Sequence, residues 1–294
     1  MSITLKNDRL QVTIAEPGVF PATTYRFDRA GFITQVTLDG KHDFCTMEPT
    51  NLSHPTSGGV GICNEIQFNQ AAEGLAIGER FPKPGVGNLR KDSADGYIFH
   101  HIYDSQDYPV SWEADETSVT FRTQAIPCQG YAIEQVKTIR LDENRLIMEM
   151  QMTNVGSKEI HAKEYCHNFV TLDHQPIGPD YFLQFPAESL EDKLQMKHGN
   201  GWTGCRGGVS IREYANTDSL AEIPADCFIP ASDGSFTWKL TNRNTDTAIS
   251  ETISEMPVLV AIWTIDHLVC PEIKVAIDLA PGQSKTWSRT WNFN

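Results

Sequence analysis

Residues 160–186, with the sequence IHAKEYCHNFVTLDHQPIGPDYFLQFP, begin as an alternating strand in which every second side chain lies on the same face of a sheet. One face combines aromatic, histidine, basic and hydroxyl side chains, namely His161, Lys163, Tyr165, His167, Phe169 and Thr171. The other face carries Ala162, Glu164, Cys166, Asn168, Val170 and Leu172. Neither face is purely apolar, so the pattern favours a strand whose back packs on a core and whose front lines a cleft.

Short alternating runs recur along the whole chain and are separated by turn dipeptides such as Asp39-Gly40 and Pro281-Gly282. The runs cover residues 10–15, 32–38, 97–103, 118–125, 132–141, 146–153, 208–214, 236–241, 258–265, 273–279 and 286–293. Only residues 187–197 offer a short helical pattern. Many short strands with frequent turns predict an all-β fold, a large antiparallel β-sandwich. Because no linker or repeat divides the chain, residues 1–294 are expected to form one domain.

The acidic composition disfavours two classes of partner. The chain has 24 Lys and Arg against 38 Asp and Glu, a formal net charge of -14. Nucleic acids and anionic membranes attract clustered basic residues, so neither is expected as a partner. The first residues contain no apolar signal segment, and the longest apolar run, residues 256–263, is too short to span a bilayer. Seven cysteines without a CxxC pair favour reduced, mostly buried thiols in a cytoplasmic protein.

Several kinds of chemistry lack their sequence motifs in this chain. There is no HxH or HExxH spacing for a metal ion, no GxSxG nucleophile motif, no P-loop and no GxGxxG before a helix. We therefore expect neither a metal ion nor an organic cofactor.

Two polar side chains on predicted strands are candidates for acid–base chemistry. His167 lies in the strand quoted above, where a single histidine is often only structural. Glu272 begins a strand whose other face is apolar, with Ile273, Val275, Ile277 and Leu279 on it. Taken alone, this pattern also fits an exposed polar face formed by Glu272, Lys274 and Asp278.

The order of these motifs resembles that of the aldose 1-epimerase (galactose mutarotase) family. The match consists of a strand and Asn-x-Gly turn at residues 150–156, His-x-Phe at His167, and Cys-x-Glu at Glu272 followed by Leu-x-Pro-Gly and an aromatic strand. The resemblance implies a galactose mutarotase-like β-sandwich without a cofactor, with His167 as the general acid and Glu272 as the general base. It also implies that Asp226, in ADCFIP, accepts hydrogen bonds from sugar hydroxyls.

The amino-terminal half departs from the family pattern. The family's Gly-Arg segment and His-Gly-Gly loop are replaced by GGVGICNEI at residues 58–66 and FPKPGVGNL at residues 81–89. The substrate-contacting arginine is therefore open between Arg80 and Arg90. The cationic cluster of this region comprises Arg80, Lys83, Arg90 and Lys91. It is either a solvated loop surface or a site for a sugar hydroxyl or an anionic substituent.

The expected function is that of an aldose 1-epimerase-like isomerase, which interconverts the α and β anomers of a sugar. The cationic cluster suggests a phosphorylated or sulfonated aldose, and Trp263 and Trp202 offer faces that could stack on the sugar ring. Two other classes stay open: a non-catalytic carbohydrate-binding protein of the same fold, and a carbohydrate enzyme of another type, such as a lyase. We expect a small-molecule sugar as the partner of a monomer or homodimer.

Overall fold

The computed structural model describes residues 2–19, 25–48, 57–215 and 218–294. Its strands are β1 (Ser2–Lys6), β2 (Leu10–Ala15), β3 (Phe32–Leu38), β4 (His42–Asp43), β5 (Ile62–Gln67), β6 (Arg80–Lys83), β7 (Gly87–Arg90), β8 (Ser105–Asp107), β9 (Val110–Ala114), β10 (Ser118–Thr123), β11 (Ile133–Asp142), β12 (Arg145–Asn154), β13 (Ile160–Asn168), β14 (Tyr181–Ser189), β15 (Gln195–His198), β16 (Trp202–Ile211), β17 (Ser219–Pro224), β18 (Phe236–Asn242), β19 (Ala248–Ile253), β20 (Leu259–Ile265), β21 (Leu268–Leu279) and β22 (Ser284–Phe293). Within the described residues, helix is limited to the 3-10 turns Asn69–Ala72 and Ala225–Cys227.

The strands form two large sheets and one small sheet, with antiparallel pairing. The front sheet has the order β1-β2-β3-β5-β13-β21-β20-β17-β15, with β4 paired to β3. The back sheet has the order β16-β14-β18-β19-β22-β12-β11-β10-β9. In the small sheet, β6-β7-β8, the first two strands lie in the glycine- and proline-rich residues 47–90, whose composition predicts loops, and β8 lies after that region.

The core lies between the front and back sheets because their strands alternate buried and outward-facing side chains. On β22, Trp287, Arg289 and Trp291 are buried while the residues between them are partly exposed. On β13, Ile160 and Ala162 are buried between exposed neighbours. One continuous apolar cluster contains residues from both sheets. The predicted antiparallel β-sandwich is thus confirmed.

The pairing of β13 with β21 is interrupted near the middle of the front sheet. The ladder runs regularly as far as Glu164 opposite Val275, and it resumes as a single bridge between Val170 and Val269. Pro271 lies in the interval and has no N–H group to donate across the strands. The two strands therefore run side by side in this interval without a regular ladder.

One predicted strand is wrong. Residues 97–103 are irregular, with a turn at residues 99–100 closed by the N–H group of His101, which donates to the carbonyl of Ile98. The hydroxyl group of Tyr103 also hydrogen-bonds both the N–H and the carbonyl of Ile98. These local bonds replace the ladder that a strand would need.

The predicted helix at residues 187–197 is also wrong. Strand β14 continues through Ser189, and the N–H group of Leu190 donates to the carbonyl of Cys205 on the neighbouring strand β16. Strand β15 then begins at Gln195. Pairing with adjacent strands outweighs the weak helical preference of this segment.

Two further expectations concern burial and membrane spans. Four cysteines are buried and three are partly buried, the buried ones being Cys45, Cys63, Cys166 and Cys270. In the part of the chain that the structure describes, no helix has the length and apolar character needed to cross a bilayer. Residues 49–56, part of the segment predicted to form loops, lie outside the described residues.

Candidate active site

His167 and Glu272 meet at the interruption between β13 and β21. The register on either side of the interruption places the two residues opposite each other. The Nε2 atom of His167 lies 3.0 Å from the Oε1 atom of Glu272, and only 3% and 7% of the two side chains is exposed. A histidine and a carboxylate more than a hundred positions apart thus form a buried hydrogen-bonded pair.

Aromatic packing fixes the imidazole ring of His167. The ring stacks on Phe169 with centroids 4.0 Å apart and an interplanar angle of 4°. Phe27 and Trp263 contact it edge-on, at centroid distances of 5.8 and 5.9 Å. Its Nδ1 atom is buried and has no hydrogen-bond partner among the described residues. Ring packing and the one hydrogen bond, to Glu272, therefore determine where the Nε2 atom of His167 points.

The electrostatic surroundings keep Glu272 ionised. Burial raises the pKa of its carboxyl group, but His167, Lys274 and Arg26 together outweigh burial and lower that pKa to about 2. The Nζ atom of Lys274 lies 3.5 Å from the Oε2 atom of Glu272, on the side away from His167. Glu272 is consequently a carboxylate at neutral pH and can accept a proton.

A second buried carboxylate, Glu65 on β5, lies beside this pair. Its oxygens accept hydrogen bonds from Arg26 at 2.6 Å, from Lys83 at 3.0 Å and from the hydroxyl group of Tyr165. Burial opposes ionisation of Glu65, yet Lys83 and Arg26 outweigh it and hold the pKa far below its usual value. Because its oxygens are engaged in this way, Glu65 is suited to holding Arg26 in place.

The guanidinium group of Arg26 acts electrostatically on the His167–Glu272 pair, since it helps to lower the pKa of Glu272. Three of its N–H groups donate, to Glu65, to the Ser57 hydroxyl at 3.0 Å and to the Tyr165 hydroxyl at 2.8 Å. Since a guanidinium group carries five N–H donors, two have no acceptor among the described residues. The side chain is 14% exposed, and its guanidinium carbon lies 4.7 Å from the ring centroid of Phe99.

Trp263 forms a partly exposed wall of the same site. Its indole ring contacts both His167 and Phe169 edge-on. Its Nε1 group donates to the Oδ1 atom of Asp218 at 2.5 Å, and the same oxygen lies 2.9 Å from His198 Nε2. Trp263 is therefore held in orientation beside His167, and its stacking on a sugar stays a prediction.

The other predicted binding residues lie elsewhere or are already engaged. Arg80 and Arg90 on the small sheet both bind the carboxylate of Asp104. Lys83 is buried and donates to Glu65 and to the carbonyl of Ile66. Among the described residues, no contact joins Arg80 or Arg90 to the His167–Glu272 pair, so their contact with a substrate stays a prediction.

Asp226 is exposed in the 3-10 turn Ala225–Cys227, where its Oδ1 atom lies 3.8 Å from the sulfur of Cys227. The sequence motif placed it in a binding role, and the described contacts do not link it to His167. Its role toward sugar hydroxyls also stays a prediction.

Arg26 and Glu65 were not predicted from the sequence. Arg26 lies in a segment without strand periodicity, so no pattern distinguished it from other loop arginines. Glu65 did leave a signal, because it is a lone acid within the otherwise apolar and amide strand ICNEIQ. Its pairing opposite Tyr165 puts it on the same sheet face as His167.

The described residues contain no group of three or more His, Cys, Asp and Glu side chains arranged to hold a metal ion.

Comparison with known proteins bears on the fold. No family model matches the chain, and no curated protein sequence matches it. Among solved structures, a galactose mutarotase-like protein from Lactobacillus casei ATCC 334 is 15% identical, with a TM-score of 0.58 and coverage of 100% of both chains. The chain has the galactose mutarotase-like fold.

Two further structures with this fold are similarly distant in sequence. The galactose mutarotase related enzyme from Lactobacillus acidophilus is 13% identical, has a TM-score of 0.58 and is covered over 97% of its chain. The GalM/aldose epimerase homologue from C. elegans is 12% identical, has a TM-score of 0.58 and is covered over 98% of its chain. Both matches cover 100% of the present chain.

Proposed function

We propose that the protein interconverts the α and β anomers of an aldose, with His167 as general acid and Glu272 as general base. The observation that supports this most is the buried pair itself: an imidazole nitrogen 3.0 Å from a carboxylate oxygen, beside a partly exposed tryptophan. The mutarotase-like fold agrees with this assignment but does not by itself select the chemistry.

The reaction needs one proton removed from the anomeric hydroxyl and one proton added to the ring oxygen, the two oxygens bonded to the anomeric carbon. Glu272 takes the proton of the anomeric hydroxyl while the protonated imidazole of His167 gives a proton to the ring oxygen. The bond between the anomeric carbon and the ring oxygen breaks, which leaves an open-chain aldehyde. Rotation about the bond between the first two carbons presents the other face, and ring closure reverses the proton transfers.

The short distance between His167 and Glu272 couples the two transfers. The positive charge of His167 is the main influence that lowers the pKa of Glu272 against burial. When His167 gives its proton to the sugar, that charge disappears and the affinity of Glu272 for a proton rises. Donation by the acid therefore promotes abstraction by the base.

Substrate binding is assigned to side chains around the pair. The face of Trp263 stacks on the apolar side of the sugar ring, as aromatic rings do in carbohydrate sites. Arg26 donates its two available N–H groups to a hydroxyl or to an anionic substituent. The cationic cluster that first suggested an anionic sugar is already paired, through Asp104, Glu65 and backbone carbonyls. An anionic aldose is thus proposed on account of Arg26 and Lys274.

The test is exchange between anomers measured by NMR, on a panel of neutral, phosphorylated and sulfonated aldoses. Wild-type protein is expected to accelerate exchange for at least one sugar, and His167→Ala and Glu272→Ala each to reduce that acceleration by about 10²-fold or more. The chain offers a matched control, because His161 and Asp278 form an equivalent cross-strand pair on β13 and β21 at 2.7 Å, exposed to solvent. His161→Ala and Asp278→Ala should keep wild-type exchange rates.

Full acceleration in His167→Ala or in Glu272→Ala would refute the assigned roles. If the protein binds a sugar but accelerates exchange for none of the panel, it is a non-catalytic carbohydrate-binding protein. Release of an unsaturated product from a uronic acid polymer would show the lyase. The cytoplasmic location, the single domain and the monomeric or homodimeric state stay predictions.

A further inference from the structure

We infer that Asn168 and Arg289, which face the sandwich core and not the substrate, are positioning residues that hold His167 and Glu272 at their working separation. Only the activity measurements that test these roles depend on the proposed function. The structural part of the inference concerns only where two side chains are held.

The interruption of the β13–β21 ladder creates the need for such residues. Between the pair Glu164–Val275 and the bridge Val170–Val269, the backbone of neither strand is paired regularly with the other. Buried carbonyl groups in this interval need donors from elsewhere. His167 pairs with Cys63 on β5 and Glu272 with Ala261 on β20, so each strand is held on its outer side, and the distance between the two strands depends on the groups that bridge this interval.

Side chains from the core supply the donors on both sides of Glu272. The Nδ2 group of Asn168 donates to the carbonyl of Pro271 at 2.8 Å, immediately before Glu272. The Nη2 group of Arg289 donates to the carbonyl of Ile273 at 2.8 Å, immediately after it. Asn168 itself follows His167 in the chain, so it links the two strands at the point where the acid and base meet.

These two side chains are anchored in the back sheet. Arg289, on β22, is wholly buried between Glu164 and Glu251, which its Nη2 and Nη1 groups approach to 2.9 and 2.6 Å. The carbonyl oxygen of the Asn168 side chain accepts from Trp291 Nε1 at 3.0 Å. Asn168 Nδ2 also lies 3.2 Å from Glu251 Oε2. Charged hydrogen bonds of this kind, shielded from water, tolerate little displacement.

The arrangement explains why a charged group is kept in the core. A buried ion cluster is a poor source of stability compared with apolar packing, but it fixes geometry when every member is bonded. Here it connects the back sheet to the carbonyls that flank Glu272. A displacement of about 1 Å at a reacting group can reduce a rate by about 10²-fold.

The first test is Asn168→Ala. For the sugar that wild-type protein converts, kcat should fall by about 10²-fold with KM little changed. In the folded variant, the pKa of the Glu272 carboxyl group should rise well above about 2, because His167 is no longer held beside it. This pKa is measured from the carbon-13 chemical shift of the carboxyl group as a function of pH. Ile139→Ala, which opens the core in β11 of the back sheet, is the control for lost stability alone.

A second variant guards against misfolding. Arg289→Met combined with Glu164→Gln and Glu251→Gln leaves no unpaired charge in the core and keeps acceptors for the indole groups of Trp238 and Trp287. It should fold, lose kcat and show the same rise in the Glu272 pKa. If both variants lower the melting temperature but leave the Glu272 pKa where the wild type and Ile139→Ala have it, the inference is wrong. This readout needs no activity, so it separates failure of the inference from failure of the proposed function.

Discussion

At the scale of single residues, the bond between His167 and Glu272 links the stability of the protein to pH. The pKa of Glu272 is about 2 in the folded state, whereas the ordinary value for a glutamate, which applies in the unfolded chain, is 4.5. A pKa lowered by folding means that the unfolded chain binds more protons in this interval, so stability increases with pH across it. The contribution is fully present above the unfolded pKa and is lost as pH falls from about 4.5 towards about 2.

We therefore predict a weaker acid dependence in Glu272→Gln. The difference between the two pKa values corresponds to a contribution on the order of 3 kcal/mol at neutral pH. Urea unfolding of Glu272→Gln should give a lower unfolding free energy than wild type at pH 7 and a smaller decrease between pH 5 and pH 2. If the unfolding free energies of the two proteins decreased equally between pH 5 and pH 2, the lowered pKa of Glu272 would be contradicted.

Gly59 provides a second prediction at this scale. A Cβ atom at Gly59 would lie 1.9 Å from the ring of Phe169, whose other contacts include the imidazole of His167. Gly59→Ala should displace Phe169 and, through it, His167, and reduce anomer exchange by about 10-fold or more. Gly282→Ala, at a turn with open space around it, should leave exchange unchanged.

At the scale of elements, the sequence predicted the site strands but not their partners. Alternation along β13 and β21 correctly assigned His167 and Glu272 to the outward face and Glu164 and Ile273 to the core. The meeting of the two strands came from the family resemblance, since register depends on contacts across the sheet that no local pattern records. Arg26 and Lys83 reach Glu65 from other segments, so the cluster itself had no sequence signal beyond the lone acid in β5.

The Glu65 cluster joins β5, β6 and β13, and it should be important for stability. Glu65→Gln leaves the buried cations Arg26 and Lys83 without their carboxylate, and we predict a loss of about 3–5 kcal/mol in urea unfolding. Asp104→Asn, which removes the partner of exposed Arg90 on the small sheet, should change stability little. Equal losses in the two variants would show that burial does not govern these ion pairs.

At the scale of the whole molecule, the two large sheets share one apolar core. Alternating strands and turn dipeptides were enough to predict this class of fold, because a sheet with one apolar face must bury it against another. They could not predict the small sheet β6-β7-β8, whose strands have four residues or fewer, the first two of them in a region rich in glycine and proline. Short strands carry too little periodicity to be distinguished from loops.

The shared core predicts cooperative unfolding of the whole chain. Tryptophans of both sheets report on it, for example Trp263 in the front sheet and Trp291 in the back sheet. Urea transitions followed by tryptophan fluorescence and by far-ultraviolet circular dichroism should coincide. Two separate transitions would indicate independent units and contradict the prediction of one domain.

Replacing the buried charges around Arg289 should raise the heat resistance of the protein and lower its turnover. Proteins often tolerate, and sometimes gain from, apolar replacement of a buried ion cluster. A directed-evolution campaign scored by survival after heating would therefore enrich uncharged residues at Arg289, Glu164 and Glu251, and the surviving clones would convert sugar more slowly. Libraries built to make this protein more robust should keep those three codons constant.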